Sequence, residues 1–359
     1  MRQRIMTYLA RLSHAYVGVL FGWAAMRTLF GDRWWWLFCL NSFAEYLFVP
    51  LPAVFAAAWL AQRRRLWVSF GAVLALGGCL YGRMWWPKLS PAQVGDVILT
   101  VMTFNMLGYN RRPEGVVGAI RNAGADVVAI QELNTATAAY IQRDLTDAYP
   151  YQVLDPHEGD SGMGVISRYP LRRVDAALPG DWIGEPHVLS LNLHGTWVTL
   201  LHFHARSTDI GSKNRMATVR ERERQARTLA AFAAARPEPL IALGDFNATD
   251  QSVAYTTMSS VLADSWREAG WGPGHTFPGA ASSGSSRHRI VGILVPKWLI
   301  RIDYIFHSPH LRAVGAWIGP WDEVSDHRPV LVRLALKHVA PLVAGALGLF
   351  HGRRILDRP

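Results

Sequence analysis

Cysteine is almost absent: Cys39 and Cys79 are the only two in 359 residues, and both sit inside strongly apolar segments. So small a supply gives no disulfide framework and no thiolate metal site. Acidic residues are missing from one part of the chain only. Residues 1–95 hold ten Lys and Arg against two acidic side chains, Asp32 and Glu45, whereas the remaining 264 residues hold 27 basic and 25 acidic. The formal charge of +10 therefore belongs mostly to the N-terminal quarter. Residues 96–336 are close to neutral and lack the basic footprint that strengthens nucleic-acid binding, which does not exclude cleavage of such a substrate. No internal repeat is visible.

What the N-terminal quarter has instead is long apolar runs. Three of them, at about 15–30, 34–61 and 66–86, suit membrane crossing, for which roughly 20 residues are needed. Trp34, Trp35 and Trp36, and later Trp85 and Trp86, fall at segment ends, where indoles favour the membrane interface. Arg27 weakens the first run and would have to snorkel toward headgroups. Arg2, Arg4 and Arg11 share a side with Arg63, Arg64 and Arg65 if all three runs span. The positive-inside rule makes that side cytoplasmic and puts everything after Trp86 on the outer face of a plasma (inner) membrane. A signal peptide is the rival reading of the first run, but its cleavage site is not persuasive and two spans would remain. Glu45 is an ionisable group at membrane depth, hence a functional hypothesis; a hydrated helix break at Pro50 and Pro52 accounts for it equally.

Trp86 to Asp96 reads as a linker into a domain of residues 96–336. There the pattern changes to β-rich runs at 97–104, 126–132, 164–169, 187–194, 197–204, 239–246, 301–306 and 329–336, with helical patterns at 113–124, 135–149, 217–235 and 253–266. Such a mixture predicts a layered α/β or α+β domain. The alternating charges of Arg220 to Arg224 read as a solvated, salt-bridged helix face. Residues 279–287 are loop-like in composition. The tail, 337–359, is apolar and then basic, and its apolar stretch is too short to span.

Five strand ends share one feature: an apolar run terminates in polar groups that are expensive to bury without partners. These are Asn105; Gln131 and Glu132; His202 and His204; Asp245 and Asn247; and Asp303. A sixth element, Ser325-Asp326-His327, precedes the last strand. Each alone is ordinary turn or structural chemistry. Together, carboxylates, amides and imidazoles at strand ends are what a hard-metal phosphoryl-transfer site requires, and carboxylate oxygens suit Mg²⁺ or Mn²⁺.

In this order, TFN, QE, HFH, GDFN, RIDYIF and SDHRP resemble the endonuclease/exonuclease/phosphatase superfamily, the DNase I-like proteins, from about Leu99 to Leu336. SGMGVISRYPL is similar to that superfamily's Gly-rich strand. The resemblance implies an α+β fold, a four-layer αββα sandwich with its site at one end of two facing sheets, here preceded by three transmembrane helices. It implies Glu132 as principal metal ligand with Asn105 beside it, and Asp326 as a further ligand or supporting carboxylate. It also implies that Asp245 aims or deprotonates the attacking water and Asn247 holds a phosphate oxygen. His327, held by Asp303, acts on charge or protons, and His202 donates to the phosphate. The choice of His202 over His204 follows the HFHA motif of sphingomyelinase-like members; the second histidine shares its strand face. The cofactor expected is Mg²⁺, with Mn²⁺ possible, and the partners are a lipid bilayer and a phosphoester, either nucleic acid or a phospholipid headgroup. A start of Thr-Phe-Asn-Met departs from the Trp-Asn-Val-Asn type of abasic-site enzymes. The loop from Trp271 to Lys297 is expected to shape the substrate mouth. A catalytically inactive tethered module would lack one of Glu132, Asp245, Asp303 or His327, and none is missing. A small transport or assembly protein would instead draw on Glu45.

Overall fold

Residues 2–85 are helical almost throughout. The computed structural model describes residues 2–86, 91–208, 213–281, 289–290, 293–321 and 323–337. Most of the 279–287 loop, the middle of the linker and the tail after Lys337 lie outside the described residues. Helix α1 (Arg2–Phe30) is followed by α2 (Trp35–Ser42), a 3₁₀ turn (Ala44–Phe48), α3 (Leu51–Ala61) and α4 (Arg64–Trp85). The second apolar run is therefore broken. Pro50 caps α3 and Pro52 lies in its first turn, where a missing N–H is harmless, whereas further along either ring would disrupt the ladder.

Two stretches of the described residues, Ala44–Ala61 and Arg64–Trp85, are long and apolar enough to cross a membrane. The expected first span falls short because α1 also carries Arg4, Arg11, His14 and Arg27. Ala10 of α1 packs with Ala58 of α3 and Leu66 of α4, and Leu20 and Trp23 pack with Val73 further along. Hence α1 and α4 run the same way, and Arg11 and Arg63 to Arg65 gather at one end. Val19, Trp59, Val68 and Leu74 point outward and stay exposed.

The other end of this helical unit docks on the domain that follows. Arg27 Nε donates to Gln251 O at 3.1 Å, so Arg27 does not snorkel as expected. Asp32 accepts from Val253 N at 2.7 Å and from Asn41 Nδ2 at 2.8 Å.

In the domain, β1 (Val97–Asn105), α5 (Pro113–Ala123), β2 (Val127–Gln131), α6 (Thr135–Asp144), β3 (Tyr151–Asp155) and β4 (Met163–Ser167) are followed by β5 (Leu171–Arg173), β6 (Gly184–Leu193) and β7 (Thr196–His204). Then come α7 (Arg215–Ala234), β8 (Leu240–Asp245), α8 (Val253–Ser259), β9 (Ala263–Asp264) and α9 (Ser265–Ala269). A short hairpin of β10 (Arg289–Ile290) and β11 (Ile293–Leu294) precedes β12 (Asp303–His307), β13 (Leu311–Ile318) and β14 (Val330–Leu336). One six-stranded sheet has the order β13-β14-β1-β2-β4-β3 and the other β5-β6-β7-β8-β12-β9. The sheets face each other across Leu99, Val101, Val127, Ala129, Leu200, Ile241, Leu243 and Ile305. Helices α5 and α6 cover the first sheet, and α7 and α8 cover the second, giving four layers. Period-two alternation makes each inward row apolar until the strand ends.

Arg222 departs from the solvated reading of its helix. It is buried, donates to Arg206 O at 2.9 Å and lies over the Phe38 ring of α2. Burial lowers its guanidinium to about 10. Its sequence neighbours Glu221 and Arg224 do pair on the surface.

A buried pair braces the edge of the second sheet. Asp264 accepts from both terminal nitrogens of Arg301 at 3.0 and 2.7 Å, from Tyr255 Oη at 2.8 Å and from Trp266 N at 2.9 Å. Removing one partner strands the other charge, so Asp264→Ala should destabilise the fold by about 3–5 kcal/mol. Burial alone would raise the Asp264 carboxyl, but Arg301 holds it below the usual aspartate value. The contribution is therefore complete above the unfolded value of about 3.9 and lost as the pH falls through the depressed folded one. Urea unfolding at neutral and acid pH reads both; a loss under about 1 kcal/mol at neutral pH would contradict the bracing role.

Candidate active site

The two sheets end in polar side chains at the same place. Register sets Asn105 beside Gln131 in the first sheet. In the second it sets His204 beside Asp245 and Asp245 beside Asp303. That close approach of β7 and β8 needs glycine at position 244. A Cβ there would lie 1.9 Å from Phe203 O, and φ is +152°.

Asn105 bridges the sheets. Its Nδ2 donates to Glu132 Oε1 at 2.8 Å and to Asp245 Oδ2 at 3.1 Å, while its Oδ1 accepts from Leu107 N at 3.1 Å. Glu132 takes a second bond from Gly108 N at 2.8 Å. It follows β2 with φ of +59°, an uncommon conformation for a residue with a Cβ, held here by bonds at both carboxylate oxygens. His327 Nδ1 donates to Asp303 Oδ2 at 2.9 Å, and its Nε2 stands 3.8 Å from Asp245 Oδ2. Ser325, which sequence reasoning left without a role, ties this loop to β1: its hydroxyl donates to Asn105 O at 2.7 Å and accepts from His327 N at 3.0 Å. Its only sequence signal is its place beside Asp326 and His327.

Charge is unevenly distributed. Burial raises Glu132, and the Asp326 charge adds to that against hydrogen bonds from Gly108 and Asn105. Burial and the neighbouring Asp303 push Asp245 up as well. Burial opposes a charge on His327, yet Asp303 and Asp245 hold it well above the ordinary histidine value. The two carboxylates thus favour the charged form of His327, which is paired through Nδ1 and leaves Nε2 without a hydrogen bond.

The two histidines of β7 differ in what they reach. His204, not His202, reaches the carboxylates: its Nε2 is 3.6 Å from Asp245 Oδ2 and 4.0 Å from Glu132 Oε1. His202 lies one residue pair deeper, where its Nε2 accepts from Gln131 Nε2 at 2.7 Å and its ring meets His187 edge-on. Gln131 in turn bonds Thr103, so Thr103, Gln131 and His202 form a neutral polar floor between the apolar core and the site. Burial drives His202 well below the usual value, and burial with the nearby His327 lowers His204 to about 3. The inward row Val198, Leu200, His202, His204 held the signal: the last member of a row stands at the rim. His204→Ala should reduce turnover about 10²-fold or more, while His202→Ala should cost about 1–3 kcal/mol of stability by orphaning Gln131. Turnover and urea unfolding of both variants would expose the reverse pattern.

Asn247 is near by backbone rather than by side chain. Its N–H donates to Asp245 Oδ1 at 2.9 Å and its Nδ2 turns to Ala205 O at 3.0 Å. Asp326 is half-buried at the rim. In the loop from Trp271 onward, Phe277 packs tilted against His327 with centroids 4.8 Å apart, and beyond it Trp298 meets Trp321 at 4.9 Å. Trp271 packs instead on Trp85 of α4.

Residues 102–327 match the endonuclease/exonuclease/phosphatase family. The chain belongs to that family. The match begins in β1 and ends on His327, so it spans both sheets and every strand end that builds the site. A search of the curated proteins finds no match. Among solved structures, an endonuclease/exonuclease/phosphatase from Beutenbergia cavernae is 24% identical with a TM-score of 0.50, covering 67% of this chain and 72% of that one. TDP2 from Caenorhabditis elegans is 16% identical with a TM-score of 0.52, covering 74% and 81%. TDP2 from Danio rerio complexed with a single-strand DNA product is 18% identical with a TM-score of 0.51, covering 67% and 99%. At these identities the likeness establishes the shared fold.

The family is hydrolytic and divalent-metal-dependent, and the donors present fit a hard cation. Glu132, Asp245 and Asp303 crowd together with Asp326 at the rim, and Asp303 Oδ1 is buried without a hydrogen bond; besides burial, which raises both carboxyls most, Asp326 adds to the rise of Glu132 and Asp303 to that of Asp245. Asp245, Asp303 and His327 do bring three potential ligand atoms within 4.8 Å. Ligation through His327 Nε2 would require that nitrogen unprotonated, with Nδ1–H still held by Asp303.

Proposed function

We propose that the chain is a membrane-anchored, divalent-metal-dependent phosphoesterase that cleaves a phosphodiester or phosphomonoester by in-line attack of water. The observation that supports this reading best is the row Asp303–His327–Asp245–Asn105–Glu132 across the ends of both sheets, hydrogen-bonded except for the 3.8 Å step from His327 to Asp245. Glu132 would hold the metal, Mg²⁺ or Mn²⁺, with Asp326 and with Asn105 once its amide turns Oδ1 inward. Bound there, the cation neutralises charge growing on the phosphoryl oxygens. Asp245, raised by burial and by Asp303, aims and accepts a proton from water. His327 Nε2–H and a neutral His204 donate to phosphate oxygens, and the low-dielectric floor strengthens both bonds. Asn247 supports Asp245 through its N–H.

The anchor reading draws on the two apolar stretches and their exposed outer faces. The arginine-rich end lies opposite the docked domain, which favours a plasma (inner) membrane with the catalytic domain extracytoplasmic. A phosphoester of either class, nucleic acid or a phospholipid headgroup, is the substrate this reading takes. Purified full chain in detergent should hydrolyse at least one of plasmid DNA, vesicles of sphingomyelin or phosphatidylinositol, or bis(p-nitrophenyl) phosphate with Mg²⁺ and not with EDTA. Inactivity toward all of them with either Mg²⁺ or Mn²⁺ would refute the reading.

A further inference from the structure

Glu45 is one of two acidic side chains of the helical unit, and it does not lie alone at membrane depth. It sits in the 3₁₀ turn at the docked end, where its Oε1 meets His275 Nε2 at 2.6 Å. We propose that Glu45 is a positioning residue for His327, so that the membrane anchor forms part of the active-site scaffold. This inference rests on the hydrolase reading.

The path is short. The stretch from His275 to Gly279 touches the backbone on either side of the catalytic pair. His275 O accepts from Arg328 Nη2, and Thr276 O accepts from Arg328 N at 2.9 Å. Thr276 Oγ1 accepts from Ile302 N, next to Asp303, at 3.2 Å. The Phe277 ring covers the His327 imidazole, and Gly279 N donates to Asp326 O at 2.6 Å. From the other edge, Leu299 N donates to Phe277 O at 2.9 Å, and Leu299 O accepts from Tyr46 Oη, beside Glu45, at 2.7 Å. Two consecutive anchor residues thus hold both sides of the stretch that backs His327.

Neighbouring charges are already engaged. Glu45 and His275 line a small cavity of about 20 Å³ with Tyr81, Asp250 and Arg301. Asp250 pairs with Arg267 and Arg301 with Asp264, which leaves His275 as the partner of Glu45. Docking itself does not depend on Glu45. Arg27, Asp32, Phe38 and the bond from Gly272 N to Met84 O at 2.7 Å hold the joint elsewhere. Losing Glu45 should therefore loosen the His327 backing without releasing the anchor.

The test uses full chain in detergent with Mg²⁺ and bis(p-nitrophenyl) phosphate. Glu45→Ala should lower kcat about tenfold with KM within about twofold, since misplacement of about 1 Å can cost up to about 10²-fold. Glu45→Gln keeps an acceptor for His275 and should retain most of the turnover. Glu45→Ala combined with His275→Ala should be no slower than the slower single variant, because both act along one path. The imidazole resonances of His327 should move in Glu45→Ala and stay in Glu45→Gln. Unmoved resonances, equal losses in Ala and Gln variants, or multiplying losses in the double variant would overturn the proposal. If wild type hydrolyses nothing, the hydrolase reading fails instead, and the resonances alone decide whether Glu45 positions His327.

Discussion

His327→Ala is expected to lower kcat by about 10²–10⁴, the span of a positioned proton donor or acceptor. The size follows from what surrounds the ring. Asp303 fixes Nδ1–H and thereby leaves Nε2 facing Asp245 and the space between the sheets. The same carboxylates favour the charged ring against the cost of its burial, which suits it to donate to a phosphate oxygen. Alanine removes that charge and leaves Asp303 and Asp245 side by side with nothing between them. Asp303→Asn should give a smaller version of the defect, because an amide still orients the ring but no longer stabilises its charge. Steady-state kinetics of both variants test the order: a His327→Ala enzyme within tenfold of wild type, or one less impaired than Asp303→Asn, would remove His327 from the chemistry.

The strand ends that build the site were legible because alternation makes them so. An apolar inward row that stops at Asn105, Glu132, Asp245 or Asp303 leaves a polar group that needs a partner, and five such ends in one chain are more than turn chemistry requires. Depth along a row was harder to read. His202 and His204 share a face of β7, and only the stagger of β7 against β2 and β8 decides that one meets Gln131 and the other Asp245. Strands β3 and β13 were missed because their ends are half-exposed and their alternation is weak. The broken second apolar run was partly visible in Pro50 and Pro52. The docking of the helical unit on the domain was not, because Arg27, Asp32, Glu45 and Arg222 look from sequence like membrane-edge or solvated charges, and their partners lie some 180–230 residues away in the chain.

Glu132→Ala should abolish both metal binding and turnover, with turnover falling by at least about 10²–10³. Both oxygens of Glu132 are held by Asn105 Nδ2 and Gly108 N, so the carboxylate is fixed before a cation binds. That fixing is costly: the group is buried, its carboxyl is pushed up, and its backbone is left-handed. Removing such a group sacrifices function without sacrificing fold, as is common where a site stores charge and strain. Thermal unfolding without metal should therefore be unchanged or slightly raised in Glu132→Ala. A ligand that binds only the folded state stabilises by RT ln(1 + [L]/Kd), about 2.7 kcal/mol at a hundredfold excess over Kd. Wild type should gain Tm with added Mn²⁺, and Glu132→Ala should not. Mn²⁺ titration followed by EPR and by thermal unfolding reads the site without any substrate. A variant that keeps the metal-dependent rise in Tm would move the cation away from Glu132, toward Asp245 and Asp303, and the roles of those carboxylates in aiming water would have to be reassigned.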